Sequence, residues 1–266
     1  MKLQGKTAVI VGAAGAGNMG QNLARRFAAE GAKVLVAGRH EAELKSLAGE
    51  LGGAHAVCDI TRLADLERLA AKALDWTGRL DVAVNATGWG LLKPFLETTE
   101  DELTRMTDLQ FKGPFQWLQT TVAAMIKAGH GGSIVQMSSA TATIMLNDHA
   151  AYMGTKAGID HVVRCVANEF GAQGIRANSI SPGLTATPMT AEAQQTPGLF
   201  DAFTPCYPLG RIGTSDDIAE AAVWLASDGC FMTGQNLQVN GGLTLRRNPS
   251  REEIQASVMR AMQAQG

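Results

Sequence analysis

No apolar run in the 266-residue chain approaches the ~20 residues that a membrane-spanning helix needs, so no membrane partner is expected. Thr7 to Gly17, behind Lys2 and Lys6, could imitate a signal peptide, but it is short and glycine-rich and reads as a strand entering a loop. Cysteine is scarce. Cys58, Cys165, Cys206 and Cys230 are far apart without metal-ligand spacing, so they read as reduced thiols of a cytoplasmic protein, and no metal is expected. An excess of basic charge is missing too. The 23 Lys+Arg stand against 25 Asp+Glu, a net charge of -2 with no basic stripe, which argues against a nucleic-acid partner. There is no linker, repeat or low-complexity segment, so a single domain is expected.

Apolar residues make up 45% of the chain, enough for a substantial core. Short apolar runs at Thr7–Val11, Lys33–Ala37, Ala54–Cys58, Asp81–Val84, Ser133–Met137, Arg176–Ile180 and Leu237–Val239 lack strict alternation. Such runs fit parallel strands buried on both faces. Between them lie helical patterns. Asn22–Glu30 stops at Gly31, and the capping box Thr99-Glu100-Asp101-Glu102 opens a long helix towards Lys127 that Gly129 ends. The expected fold is α/β: a single-domain, Rossmann-type, doubly wound seven-stranded parallel sheet with helices on both faces.

The first strand runs into Gly12-Ala13-Ala14-Gly15-Ala16-Gly17-Asn18-Met19-Gly20, and a helix follows. Gly15-x-Gly17-x-x-Gly20 matches the dinucleotide fingerprint in its strand–loop–helix context. Glycines let the backbone approach a pyrophosphate, and the helix N-terminus attracts its charge. After the second strand, where the fingerprint expects an acid for the ribose 2′-hydroxyl, stands Gly38-Arg39-His40. A 2′-phosphate then meets no carboxylate, and Arg39 offers it a bidentate donor. NADP(H) is therefore preferred, with NAD(H) the alternative.

Tyr152 stands four residues before Lys156, about one helical turn, and Ser139 lies thirteen residues upstream of Tyr152. A nearby ammonium favours phenolate and lowers the pKa of a tyrosine, making Tyr152 an acid/base candidate for moving a proton at an oxygen.

These features resemble the short-chain dehydrogenase/reductase family, from about Lys6 to Leu243. Asp59-Ile60 looks like the family's adenine contact, and Asn85-Ala86-Thr87-Gly88 like its segment after the fourth strand. Ser139 closes the fifth strand in the catalytic position. Asn178 and Pro182-Gly183-Leu184-Thr185-Ala186-Thr187 look like the segment around the nicotinamide. Pro208-Leu209-Gly210-Arg211, Thr233-Gly234-Gln235 and Asn240-Gly241-Gly242 fit the C-terminal signature. The resemblance implies a nicotinamide-dependent interconversion of ketone and secondary alcohol. Tyr152 would exchange the proton, Ser139 would position the oxygen, and Lys156 would bind the ribose and lower the pKa of Tyr152. Gly12, Gly15, Gly17, Asn18, Met19, Gly20, Arg39, Asp59, Ile60, Asn85, Ala86, Gly88, Pro182, Gly183, Thr185 and Thr187 would hold the cofactor with Tyr152 and Lys156. A homodimer or homotetramer is implied.

The chain also departs from the family pattern. The glycine loop carries a two-residue insertion, a length found in divergent enoyl reductases, although those have a wider Tyr-to-Lys spacing. Gln110 stands where many members have an Asn that supports a water leading from the lysine, and is a further catalytic candidate. Trp89, Ile144, Met145, Leu146, His149 and Met189 are the substrate candidates; with no Arg or Lys among them, they imply an apolar or cyclic small-molecule ketone or alcohol. The alternatives are a 3-oxoacyl-thioester reductase, an enoyl reductase, or a catalytically silent NADP(H)-binding regulatory protein. The catalytic domain is expected over 1–245, with an irregular, mobile lid at about 190–207. A helical extension over 246–266 carries an apolar stripe, Ile254, Val258, Ala261 and Met262, that packs on its own subunit or on a neighbour.

Overall fold

A computed structural model describes residues 1–264. Its first half alternates strand and helix: β1 (Thr7–Val11), α1 (Met19–Ala29), β2 (Lys33–Gly38), α2 (Glu41–Leu51), β3 (Ala54–Val57), α3 (Leu63–Thr77) and β4 (Val82–Asn85). Side chains alternate across each strand. In β1, Ala8 and Ile10 therefore join the core beneath α1 and α2, while Val9 and Val11 join the core on the other face with Leu66 and Leu69 of α3. Helix α1 begins at Met19, three residues before the expected start, because the Asn18 side chain accepts from the Gln21 amide and caps it.

The expected long helix from Thr99 is not one α-helix. Its capping box does open α4 (Glu100–Thr107), but a π-helical turn (Asp108–Lys112) intervenes before α5 (Gly113–Ala128). Pro114 has no N–H to give the carbonyl of Gln110, so the i→i−4 ladder breaks there. Gly113 adds a second constraint: a Cβ on it would lie 2.7 Å from the carbonyl oxygen of Ile60.

The chain continues through β5 (Gly132–Met137), α6 (Ala150–Phe170) and β6 (Ile175–Pro182). The segment expected to be irregular contains two short helices, α7 (Ala191–Gln195) and α8 (Leu199–Phe203). Then come α9 (Ser215–Ala226), β7 (Asn236–Val239) and α10 (Arg251–Gln263). The seven strands pair in parallel in the order β3-β2-β1-β4-β5-β6-β7. Helix α9 joins α1 and α2 on one face; Trp117 of α5 and Ile159 of α6 join α3 on the other. Strand order reverses between β1 and β4, and in such sheets ligands sit beyond the carboxyl ends of the strands at that point. Among the described residues no helix is long and apolar enough to cross a membrane.

A third, smaller core joins Ala140, Phe203, Tyr207 and Leu243 to Leu146, Leu184, Leu199 and Ile254. It attaches the tail to its own chain. Ser257 donates to the Gly198 carbonyl (2.8 Å) and Asn248 to the Met145 carbonyl (3.0 Å). Ile254 and Val258 of the expected stripe are half-buried, whereas Met262 is exposed, because buried Ser257 rather than Met262 faces Gly198.

Candidate active site

A cleft of about 1080 Å³ opens along the carboxyl ends of β1 to β6. At one end the loop after β1 forms a glycine cradle. Gly12 has φ +96°, and a Cβ there would lie 2.7 Å from the backbone carbon of Ala86. A Cβ on Gly20 would lie 2.4 Å from the Gly12 carbonyl oxygen, so these two glycines let loop, helix and β4 meet. Asn18 ties the inserted loop shut by donating to the Gly12 carbonyl (2.8 Å). Helix α1 has no acid in its first turn, and helix geometry leaves the Met19 and Gly20 amides without intrahelical acceptors. A dinucleotide pyrophosphate fits this arrangement of close backbone and uncompensated helix dipole. Gly15, Asn18 and Met19 line the cleft; Gly20 packs behind the loop, and exposed Gly17 (φ +66°) turns it outside the cleft wall.

Arg39 and His40 reach the cleft from the end of β2, exposed, and no carboxylate from β2 accompanies them. Asp59 and Ile60 line it from the end of β3. The Asp59 carboxyl sits below its ordinary pKa: burial opposes ionisation, but hydrogen bonds from Thr61 and the nearby Arg39 charge outweigh it. Asn85 is fully buried behind the wall rather than in it. Its oxygen accepts from the Thr87 amide (3.0 Å) and hydroxyl (2.7 Å), fixing the turn that presents Ala86 and Gly88. Pro182, Gly183, Thr185 and Thr187 line the opposite side.

Ser139, Tyr152 and Lys156 converge on the same cleft. Ser139 follows β5, and its hydroxyl shares a hydrogen with that of Thr141 at 2.9 Å. Tyr152 and Lys156 occupy successive turns of α6, with the ammonium 5.5 Å from the phenol ring centroid. Lys156 is buried and donates to the Met137 carbonyl at 2.9 Å. Burial pushes its pKa down to about 8, against the pull of Asp160. The phenol of Tyr152 differs from expectation. Burial raises its pKa, and the Ser139 hydroxyl rather than the lysine opposes the rise.

His149 stacks on Tyr152, centroids 4.3 Å apart, and its Nδ1 lies 2.7 Å from the Leu91 carbonyl oxygen. Burial lowers its pKa, so the ring is neutral near pH 7; the carbonyl then requires the proton on Nδ1, leaving Nε2 as an acceptor. Leu146 and Met189 also line the cleft. Three substrate candidates lie outside its wall. Trp89 lies under the Arg105 guanidinium (4.0 Å), Ile144 packs in the third core, and Met145 is 70% exposed. Gln110 is buried on the π-helical turn, its amide reaching Met106 sulfur (2.7 Å) and the Trp89 carbonyl (3.4 Å). Its Oε1 has no partner among the described residues and would lie 3.4 Å from a Cβ on Gly88, as would the Met189 methyl.

Sequence reasoning missed four residues. Asp160, one turn beyond Lys156, accepts from Ser138 (2.6 Å) and Asn236 (2.7 Å); its i+4 spacing was the available signal. Asp148, Asn248 and Arg251 also line the cleft, the last two brought there by the tail.

A family model described as enoyl-(acyl carrier protein) reductase matches residues 12–244. The chain is 34% identical to D-threitol dehydrogenase of Mycolicibacterium smegmatis, over 92% of this chain and 95% of that one. It is 32% identical to galactitol 2-dehydrogenase (L-tagatose-forming) of Cereibacter sphaeroides, over 92% and 97%. A solved short-chain type dehydrogenase/reductase from Mycobacterium ulcerans superposes with a TM-score of 0.89 at 30% identity, covering 97% of this chain and 99% of its own.

Proposed function

The chain belongs to the short-chain dehydrogenase/reductase family of oxidoreductases acting on CH–OH and C=O groups with a nicotinamide dinucleotide, and from that premise we propose that it interconverts a ketone and a secondary alcohol with NADP(H). The observation that carries the chemistry is the convergence of Ser139, Tyr152 and Lys156 on a cleft that also holds the glycine cradle. When bound, the cofactor supplies or receives the hydride. Ser139 hydrogen-bonds the substrate oxygen and fixes its position. Tyr152, a phenol protonated at neutral pH and held further in that form by burial, gives that oxygen its proton in reduction and takes it back in oxidation. Lys156 would bind the ribose hydroxyls of the cofactor. His149, through Nε2, accepts from a hydroxyl of the substrate beside Tyr152.

The choice of NADP(H) is supported by Arg39 at the end of β2 with no acid from that strand in the cleft. The Tyr152-x3-Lys156 spacing supports ketone over enoyl reduction. The test is steady-state kinetics on a panel of ketones with NADPH and NADH. A KM for NADPH at least tenfold below that for NADH is expected, and a clear NADH preference overturns the cofactor assignment. Tight NADPH binding by fluorescence with no turnover of any ketone favours the silent regulatory reading instead.

A further inference from the structure

Asp148 is the one non-glycine residue with positive φ (+61°) among the described residues. Aspartate adopts that conformation more readily than most residues other than glycine, and here surrounding contacts hold it. The contacts come from two other segments. The Lys93 amide donates to the Asp148 carbonyl at 2.6 Å, and Nη2 of Arg251 reaches the carboxylate oxygens at 2.7 and 2.5 Å. Arg251 opens α10, which is fastened to the lid through Ser257 and Ile254. Asp148, Asn248 and Arg251 share the cleft with Tyr152.

We propose that Asp148 and Arg251 form a subsite for a neutral hydroxyl group of the substrate, remote from the reacting carbon. The substrate class is then a hydroxylated alcohol or ketone, narrower than the apolar or cyclic one that the resemblance implies. This rests on the alcohol–ketone reading above and names its substrate class.

The chemistry favours a hydroxyl over the other groups. Among the described residues Nε and Nη1 of Arg251 have no hydrogen-bond partner, and its side chain is 52% exposed. An unpaired guanidinium would select a carboxylate. Asp148 cancels that charge and would repel a second carboxylate across the same donor. A hydroxyl both donates and accepts, so it can give its hydrogen to Asp148 while accepting from Arg251. The apolar side chains Leu184, Leu199 and Ile254 in the same cleft suit the carbon chain that joins this hydroxyl to the reacting centre.

Three secondary alcohols with the same reacting carbon test the subsite: pentan-2-ol, pentane-1,4-diol and 4-hydroxypentanoate. They are oxidised with saturating NADP+ by the full chain, by Arg251→Ala and by Asp148→Asn; asparagine tolerates the left-handed backbone. The wild-type chain is expected to favour the diol in kcat/KM over both other alcohols. Arg251→Ala lowers kcat/KM for the diol about ten- to hundred-fold, mainly through KM, as expected for losing a charged hydrogen bond, and this loss exceeds that for pentan-2-ol at least tenfold. Asp148→Asn shifts preference towards the acid. Equal losses on all three substrates in Arg251→Ala, or no wild-type preference for the diol while pentan-2-ol is turned over, overturn the subsite and leave the alcohol–ketone reading standing. Turnover of none of the three, with NADP+ bound, overturns both.

Discussion

Tyr152, like any phenol, is protonated at neutral pH, and the folded chain reinforces that state by desolvating the phenolate more than Ser139 stabilises it. It is therefore poised as an acid, and ketone reduction should fall as pH rises through its raised pKa while alcohol oxidation climbs. Tyr152→Phe should lower kcat about 10²- to 10⁴-fold, the usual worth of a positioned acid/base. NADPH affinity measured by fluorescence should survive; a fully active Tyr152→Phe protein ends the mechanism. Lys156 is depressed from the ordinary 10.5 to about 8 by burial. Between those values the unfolded chain binds more protons than the folded one, so stability rises with pH across that window. Urea unfolding of the nucleotide-free protein from pH 8 to 10.5 should show this rise, and Lys156→Met should remove it. Asp160 raises the lysine's pKa, so Asp160→Asn should carry the rise to lower pH. An identical pH profile in Lys156→Met would assign the rise to another group.

The π-helical turn Asp108–Lys112 is the element that decides what Gln110 can do. Pro114 breaks the α-ladder, and the wider turn brings Gln110 inward towards Gly88. Its amide donates to Met106 and Trp89, leaving Oε1 the one atom free to accept from a water or from substrate. Asparagine carries the same amide on a chain shorter by one methylene and leaves more room beside Gly88. Gln110→Asn is thus expected to keep or raise kcat, read with a ketone substrate at saturating NADPH. A drop beyond tenfold would mean that the longer side chain itself holds the proton path.

At the scale of the whole molecule, the tail joins the 190–207 segment to the loop around Met145. Ser257 holds Gly198, Asn248 holds Met145, and Ile254 fills the third core. The two hydrogen bonds contribute about 2 kcal/mol together, roughly thirty-fold in the population of the ordered segment. Truncation after residue 247 should therefore raise KM for the alcohol or ketone and speed proteolysis within 190–207, while NADPH affinity stays within about threefold. Unchanged substrate kinetics and unchanged proteolysis would remove the tail from the site. Sizing the truncated chain would show separately whether the outer face of α10, with Met259 and Met262 exposed, holds subunits together.

The sequence by itself determined the sheet, because bare apolar runs such as Thr7–Val11 are stable only when covered on both faces, and local periodicity records that. It also determined Tyr152 and Lys156, whose pairing is a matter of one helical turn, and the cradle, whose glycines follow one another along the chain. Only the tertiary structure decided the rest, for a common reason: the relevant contacts join residues far apart in sequence. Trp89, Ile144 and Met145 read as pocket residues yet turn into other surroundings. Arg251 and Asn248 reach the cleft from more than a hundred residues beyond Asp148 and Met145 only because α10 folds back on α8. The pKa of Tyr152 followed suit, since a one-turn spacing specifies a neighbour, whereas desolvation depends on everything packed around the ring.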